Sequence, residues 1–278
     1  MDKVEDPKFR FTRTMAIKSK LRRLFRRPME SYDGLHCGCA PGTHKAIYAG
    51  VLGTARPDSA VLDFGTHSGA LLARFKKAGF SDLHGVDLDP TRFELDGAQF
   101  YRIDLNQDFA TEFARKFGIV TATEVIEHLD SPRHFVSEVY KLLEPNGVFA
   151  ISLPNVAFWE GRCKFMLKGE LWGFGARNYL TQRHISPLTF DQLILMLKEL
   201  GFTTVVRCTA GSFATPLKKI LTAPIWLPMR VLGGASTLGE SAIIIAVKSE
   251  PDDELRRPSH YKDRWEGKAD TIGLSDEV

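Results

Sequence analysis

Apolar residues along this chain fall into short unbroken runs separated by stretches with helical spacing. Ala60 to Phe64 reads as a buried strand, and Leu71, Leu72 and Phe75 place one apolar face on the helix that follows. Further strands are predicted over 83–88, 98–103, 119–123, 147–153, 203–209 and 241–248, with helical patterns between most of them. Seven strands alternating with helices predict an α/β fold built on one sheet.

The first strand runs into Val61-Leu62-Asp63-Phe64-Gly65-Thr66-His67-Ser68-Gly69. Gly65 and Gly69 permit turn conformations closed to other residues and let backbone approach a ligand closely. The second strand, Leu83 to Leu88, carries Asp87 near its end, where a carboxylate can accept hydrogen bonds from both hydroxyls of a ribose. Asp63, Asp87, Asp104 and Glu124 all fall at carboxyl ends of predicted strands, the side on which such sheets bind ligands. His67 stands where a G-x-G-x-G loop has its central glycine, a departure from the pattern.

Further on, Thr121-Ala122-Thr123-Glu124-Val125-Ile126-Glu127-His128-Leu129 precedes Leu142-Leu143-Glu144-Pro145-Asn146-Gly147 and the strand Val148 to Leu153. Together with Asp63 to Gly69 and Asp87, these residues closely resemble the class I S-adenosylmethionine-dependent methyltransferases, particularly the branch of ubiquinone-pathway O-methyltransferases. The resemblance covers roughly residues 40 to 250. It implies a doubly wound, mostly parallel, Rossmann-like sheet with a final antiparallel strand and lid insertions. It also implies a cofactor, S-adenosylmethionine, held by Asp63, Gly65, Thr66, Gly69, Asp87, Leu88, Asp104, Leu105 and Thr123. In that reading the glycine loop faces the methionine moiety, Asp87 the ribose and Asp104-Leu105 the adenine edge; Asp104 also suits a turn or helix cap. Where the family often has an acidic residue before the fourth strand, this chain has Gly118, a difference expected to act on packing.

Composition adds the boundaries. The 278 residues suffice for one enzyme-sized domain, expected over 36–250, between a basic segment over 1–35 and a charged tail over 251–278. The net charge of +3 is too small to imply nucleic acid by itself, and nucleic acid is not the expected partner, yet Lys18, Lys20, Arg22, Arg23, Arg26 and Arg27 crowd the N-terminal segment. With Leu21, Leu24 and Phe25 among them, residues 14–27 can form a basic amphipathic helix for an anionic lipid surface, or a solvated tail. That segment lacks the apolar core of a signal peptide, and Cys37, Cys39, Cys163 and Cys208 show neither zinc spacing nor disulfide density. A cytoplasmic location, at the inner membrane surface where lipid contacts apply, is the expectation.

Two insertions are expected to choose the acceptor. The first, 154–186, mixes Phe158, Trp159, Phe165, Trp172, Phe174 and Tyr179 with Arg162, Lys164, Lys168, Arg177, Arg183 and His184, a lid suited to sugar rings or anionic groups. The second, 210–240, holds an apolar run over Ile220 to Leu232 interrupted by Pro224, Pro228 and Arg230. It is too short to span a bilayer, and 218–232 suits an interfacial contact, a homodimer surface or a lipid-tail pocket.

Methyl transfer to a hydroxyl needs a group that takes the proton, and His128, just after the fourth strand, leads for that role. Glu124, Glu127 and His128, with His184, form an alternative divalent-metal set, since residues three apart can share a helical face. The same string also serves to orient loops in this fold, and no metal is the primary expectation. The acceptor expected is a sugar, glycolipid or polysaccharide precursor. A quinone-like lipophilic small molecule and RNA ribose are the competing acceptors, and a non-enzymatic binding protein is the remaining class.

Overall fold

A computed structural model describes residues 30–251 except 57, 212 and 214; the expected basic helix over 14–27 lies outside these residues, as does the expected tail apart from Pro251. A hairpin of β1 (Ser31–Tyr32) and β2 (Leu35–His36) leads into α1 (Thr43–Leu52). Then follow β3 (Val61–Phe64), α2 (Ala70–Lys77), β4 (Leu83–Asp87), β5 (Gln99–Arg102), β6 (Phe117–Thr123), α3 (Pro132–Leu142) and β7 (Leu143–Pro154). The first insertion forms α4 (Trp159–Lys168) and α5 (Ala176–Gln182), before α6 (Phe190–Glu199) and β8 (Phe202–Ala210). The second forms α7 (Pro216–Leu221) and α8 (Ala223–Gly233), and β9 (Ser241–Lys248) ends the sheet.

The seven-stranded sheet has the order β5-β4-β3-β6-β7-β9-β8. Pairs from β5 to β7 are parallel, and β9 runs antiparallel to both β7 and β8. Helices cover both faces, which is why the strands read as continuous apolar runs. Alternate residues divide between the layers. Leu62, Val120, Ile151 and Ile244 pack with Phe135 and Val139 of α3 and Leu193 and Leu197 of α6. Val61, Ile119, Ala150 and Ile245 pack with Ile47 of α1 and Leu71 and Phe75 of α2.

The predicted strands all form, with shifted ends. The strand expected at 147–153 starts at Leu143, because Leu143 pairs with Phe117 and so lengthens both β6 and β7. Gly118 therefore lies inside β6, where an added Cβ would meet the Ser59 hydroxyl at 2.6 Å. The boundary expected between 35 and 36 falls inside the hairpin, which is fastened to the domain. Arg74 of α2 binds Glu30 at 2.9 Å and lies 4.0 Å over the Tyr32 ring, and Leu35 and Cys37 pack with Ala70 and Ala73. Among the described residues, no helix is long and apolar enough to cross a membrane.

Candidate active site

Strand order reverses between β3 and β6, so the crevice at their carboxyl ends is open to a ligand. After Phe64 the chain turns through Gly65 (φ 68°), His67 (φ 49°) and Gly69 (φ 86°), the last capping α2. A Cβ on Gly65 would lie 2.4 Å from Val125 Cγ2, and one on Gly69 would lie 2.7 Å from Leu95 Cβ, so glycine is required at both for space as well as conformation. The loop is pinned from the next strand: the Gly65 amide donates to the Val86 carbonyl at 2.9 Å, and the His67 amide donates to Asp87 Oδ2 at 2.9 Å. Asp87 Oδ1 accepts from the Asp89 amide at 3.2 Å. His67 thus adopts a left-handed backbone conformation, one that glycine adopts freely.

A cavity of about 450 Å³ opens above this loop. Gly65, Thr66, Asp87, Leu88, Asp104, Leu105 and Thr123 all line it. Asp63 and Gly69, expected beside them, do not. The Asp63 carboxyl is buried beneath the loop, accepts from the Thr121 hydroxyl at 2.6 Å, and is pushed by burial up to about 7 despite that bond. Gly69 is used against Leu95 and Phe93. Asp104 takes the turn role, since its Oδ1 accepts from the Asn106 amide at 3.0 Å, and the residue also lines the cavity. The Thr123 hydroxyl is buried at the wall without a partner among the described residues, a polar atom that a ligand would satisfy.

A second cavity of about 720 Å³ adjoins the first, and Glu124 and His128 line both. Its outer wall comes from the 154–186 insertion through Lys164, Trp172, Asn178, Thr181, Gln182 and His184. This insertion is fixed to the floor of the site, because the Ile185 and Ser186 amides donate to the Glu127 carbonyl at 2.8 and 3.0 Å. Its aromatics divide between tasks: Phe158 and Trp159 are buried, Trp172 faces the cavity, and Phe165 and Tyr179 are exposed.

The Glu124-to-His128 set does not share one helical face. Ile126–His128 is a single 3₁₀ turn, and Glu124 precedes it at φ 54°. Glu124 is turned toward the hydroxyls of Ser152, which donates at 2.9 Å, and of Ser241; burial pushes its carboxyl up to about 7. The ligand atoms that converge, within 4.8 Å of one another, belong to Glu127, His128 and His184. Glu127 is fully buried and both its carboxylate oxygens lack hydrogen-bond partners among the described residues, His128 Nε2 standing 3.9 Å from Oε1; burial, with the Glu124 charge beside it, raises its pKa well above the ordinary range. The His128 ring meets His184 edge-on at 4.7 Å, and burial lowers its pKa, leaving a neutral imidazole at neutral pH. His184 is oriented by the Gly173 carbonyl, 2.8 Å from Nδ1.

Several further residues line the cavities, of which the sequence pointed only to Arg183, through the lid composition. Cys39 lines both cavities, with burial raising its thiol pKa, and His44 lines the first, held neutral by burial with a pKa lowered to about 3. Arg92 lines both, and Arg183, at φ 61°, closes the first from the lid. Cys39 comes from the segment after the hairpin, His44 from the first turn of α1, Arg92 from the turn after β4 and Arg183 from the lid.

A family model described as "Methyltransferase domain" matches residues 13–206. A probable S-adenosylmethionine-dependent methyltransferase of Mycolicibacterium smegmatis is 34% identical over 82 residues, 28% of this chain and 32% of that protein. One of Mycobacterium tuberculosis is 26% identical over 191 residues, 64% of this chain and 63% of that one. A ubiquinone biosynthesis O-methyltransferase of Psychrobacter arcticus is 28% identical over 188 residues, 62% of this chain and 68% of that protein. The chain thus spans from about a third to just under two thirds of the length of the first two of these relatives. A solved S-adenosylmethionine-dependent methyltransferase of Archaeoglobus fulgidus superposes with a TM-score of 0.55 at 18% identity, over 74% of this chain and 94% of that one.

Proposed function

Because the chain belongs to the methyltransferase domain family, we propose that it is an S-adenosylmethionine-dependent methyltransferase that O-methylates a sugar-like, polyhydroxylated acceptor. The observation that carries the acceptor is the second cavity, which meets the first at Glu124 and His128 and is lined by Asn178, Thr181, Gln182 and Trp172. Amides and hydroxyls beside an aromatic face suit a ring bearing several hydroxyls.

The first cavity fits the cofactor. Its donors and acceptors, the tight Gly65 loop, the Asp87 carboxylate and the unpartnered Thr123 hydroxyl, are flanked by the apolar Leu88 and Leu105. When bound there, S-adenosylmethionine supplies an electrophilic methyl group on a sulfonium. Asp87 would accept the ribose hydroxyls, Gly65 and Thr66 would face the methionine part, and Leu88, Asp104 and Leu105 would face the base. His128, neutral and lining both cavities, accepts the proton of the acceptor hydroxyl. Trp172, Asn178 and Gln182 hold the acceptor in line, the positioning on which such a displacement depends, and the lid excludes water.

The test is transfer of labelled methyl from S-adenosylmethionine to a panel of glycosides and quinols. Label on a sugar hydroxyl is expected, with His128→Ala lowering kcat by about 100-fold or more while leaving S-adenosylhomocysteine binding intact. Label on quinols alone would replace the sugar with the lipophilic acceptor that the ubiquinone O-methyltransferase relatives suggest. A second reading is supported by the convergence of Glu127, His128 and His184, which offer one oxygen and two imidazole nitrogens to a divalent ion. Loss of turnover in chelator, restored by magnesium or manganese, would favour it over the metal-free reading.

A further inference from the structure

The pair α7–α8 leaves an apolar face uncovered. Val231 is 77% exposed, Leu232 89% and Ile220 71%, and Leu217, Leu221 and Leu227 are also exposed, a concentration beyond scattered surface residues. From Gly211 to Gly239 the sequence contains no acid, and its charges are Lys218, Lys219 and Arg230. Lys218 is engaged with Glu160 of α4 at 2.5 Å. Lys219 and Arg230 are exposed and have no acidic partner among the described residues.

We propose that α7–α8 docks the protein on an anionic lipid bilayer surface. The 11 residues of α8 span about 16 Å, half of a bilayer's hydrocarbon core, so the pair lies along the interface. Apolar side chains with basic flanks are the pattern of such segments. Trp226 is half-buried, its ring 5.3 Å from Phe213 and its Nε1 donating to the Lys219 carbonyl at 2.8 Å, which ties α8 to α7. Charge decides against a second copy as the occupant: a self-complementary face would set Lys219 and Arg230 of two chains together with no acid in the segment to balance them. The pair is tied to the acceptor cavity through α4, since Lys218 binds Glu160 and lies 5.9 Å over the Trp159 ring, while Lys164 of the same helix lines the cavity.

The experiment is sedimentation of the full chain with vesicles of phosphatidylcholine alone and of phosphatidylcholine mixed with phosphatidylglycerol. Binding to the anionic vesicles, weakened by salt, is expected. The double variant Val231→Asp/Leu232→Asp should lose that binding by more than about tenfold, and Lys219→Glu/Arg230→Glu should lose the preference for anionic lipid. S-adenosylhomocysteine binding by both variants verifies the fold and reports separately on the cofactor reading. Failure to bind either vesicle would overturn the proposal, as would undiminished binding by both variants, which would place the contact elsewhere on the chain. A parent dimer that these substitutions dissociate, without vesicle binding, would assign the face to a second copy instead.

Discussion

His67 shows how a residue that departs from a glycine motif can still take a left-handed turn conformation. Its φ of 49° lies where glycine is favoured, and its amide is spent on Asp87 while its ring rests 5.4 Å from His36. A left-handed conformation costs about 1–2 kcal/mol for an L-residue and is least tolerable to β-branched ones. His67→Gly should therefore keep S-adenosylhomocysteine affinity within about threefold, whereas His67→Val should weaken it about tenfold by calorimetry. Equal affinity of the two variants would mean that the loop does not depend on this conformation. At this scale the sequence was legible where ligand contacts sit inside one local motif. Gly65, Thr66 and Asp87 are read from a strand, a turn and the next strand. Asp63 belonged to the same string, and only packing reveals that Thr121 occupies its carboxyl beneath the cavity.

Among the elements, α4 and the loop after it form part of the wall of the second cavity, through Lys164 and Trp172. Gly161 in α4 lies directly against Trp172, where an added Cβ would come within 2.6 Å of Trp172 Cβ. Gly161→Ala should displace the indole from the second cavity and raise the acceptor KM several-fold while S-adenosylhomocysteine affinity stays unchanged. A change in cofactor affinity with an unaltered acceptor KM would refute that division between the cavities. The sequence marked 154–186 as a lid from its aromatic and basic content, yet could not sort Phe158 and Trp159, which are buried, from Trp172, which faces the ligand space. That sorting depends on helix rotation and on where the chain returns to Glu127, neither of which leaves a periodic trace. The inner strands were easier, since burial on both faces writes itself as an unbroken apolar run.

Across the whole molecule, buried acids govern the response to pH. Asp63 is held up to about 7 in the fold, against an ordinary carboxyl value of 3.8, so the native state holds its proton more tightly than the unfolded chain. Stability contributed by that proton is complete below about pH 4 and is lost as pH rises to about 7. Glu124 and Glu127 act with the same sign. The melting temperature of the ligand-free protein should fall between pH 5 and pH 8, and Asp63→Asn should show a smaller fall; parallel curves for the two proteins would remove Asp63 from this account. No composition figure foretold this, because the burial arises only when β3 lies between β4 and β6.

The placement of β9 also dictates an order of assembly. This last strand occupies the slot between β7 and β8, pairing with β7 from Val148 to Pro154 and with β8 from Phe202 to Ala210. During synthesis the ribosome releases both neighbours first, so a nascent chain short of Ser241 has a finished parallel half-sheet and an unfilled gap beyond it. Both flanking strands then present unpaired backbone, the geometry that invites adhesion to other chains. Closure waits for residues some ninety positions distant from β7 in sequence, a long loop to draw shut. A chaperone that shields the β7 edge until Lys248 emerges would act at the moment of greatest exposure.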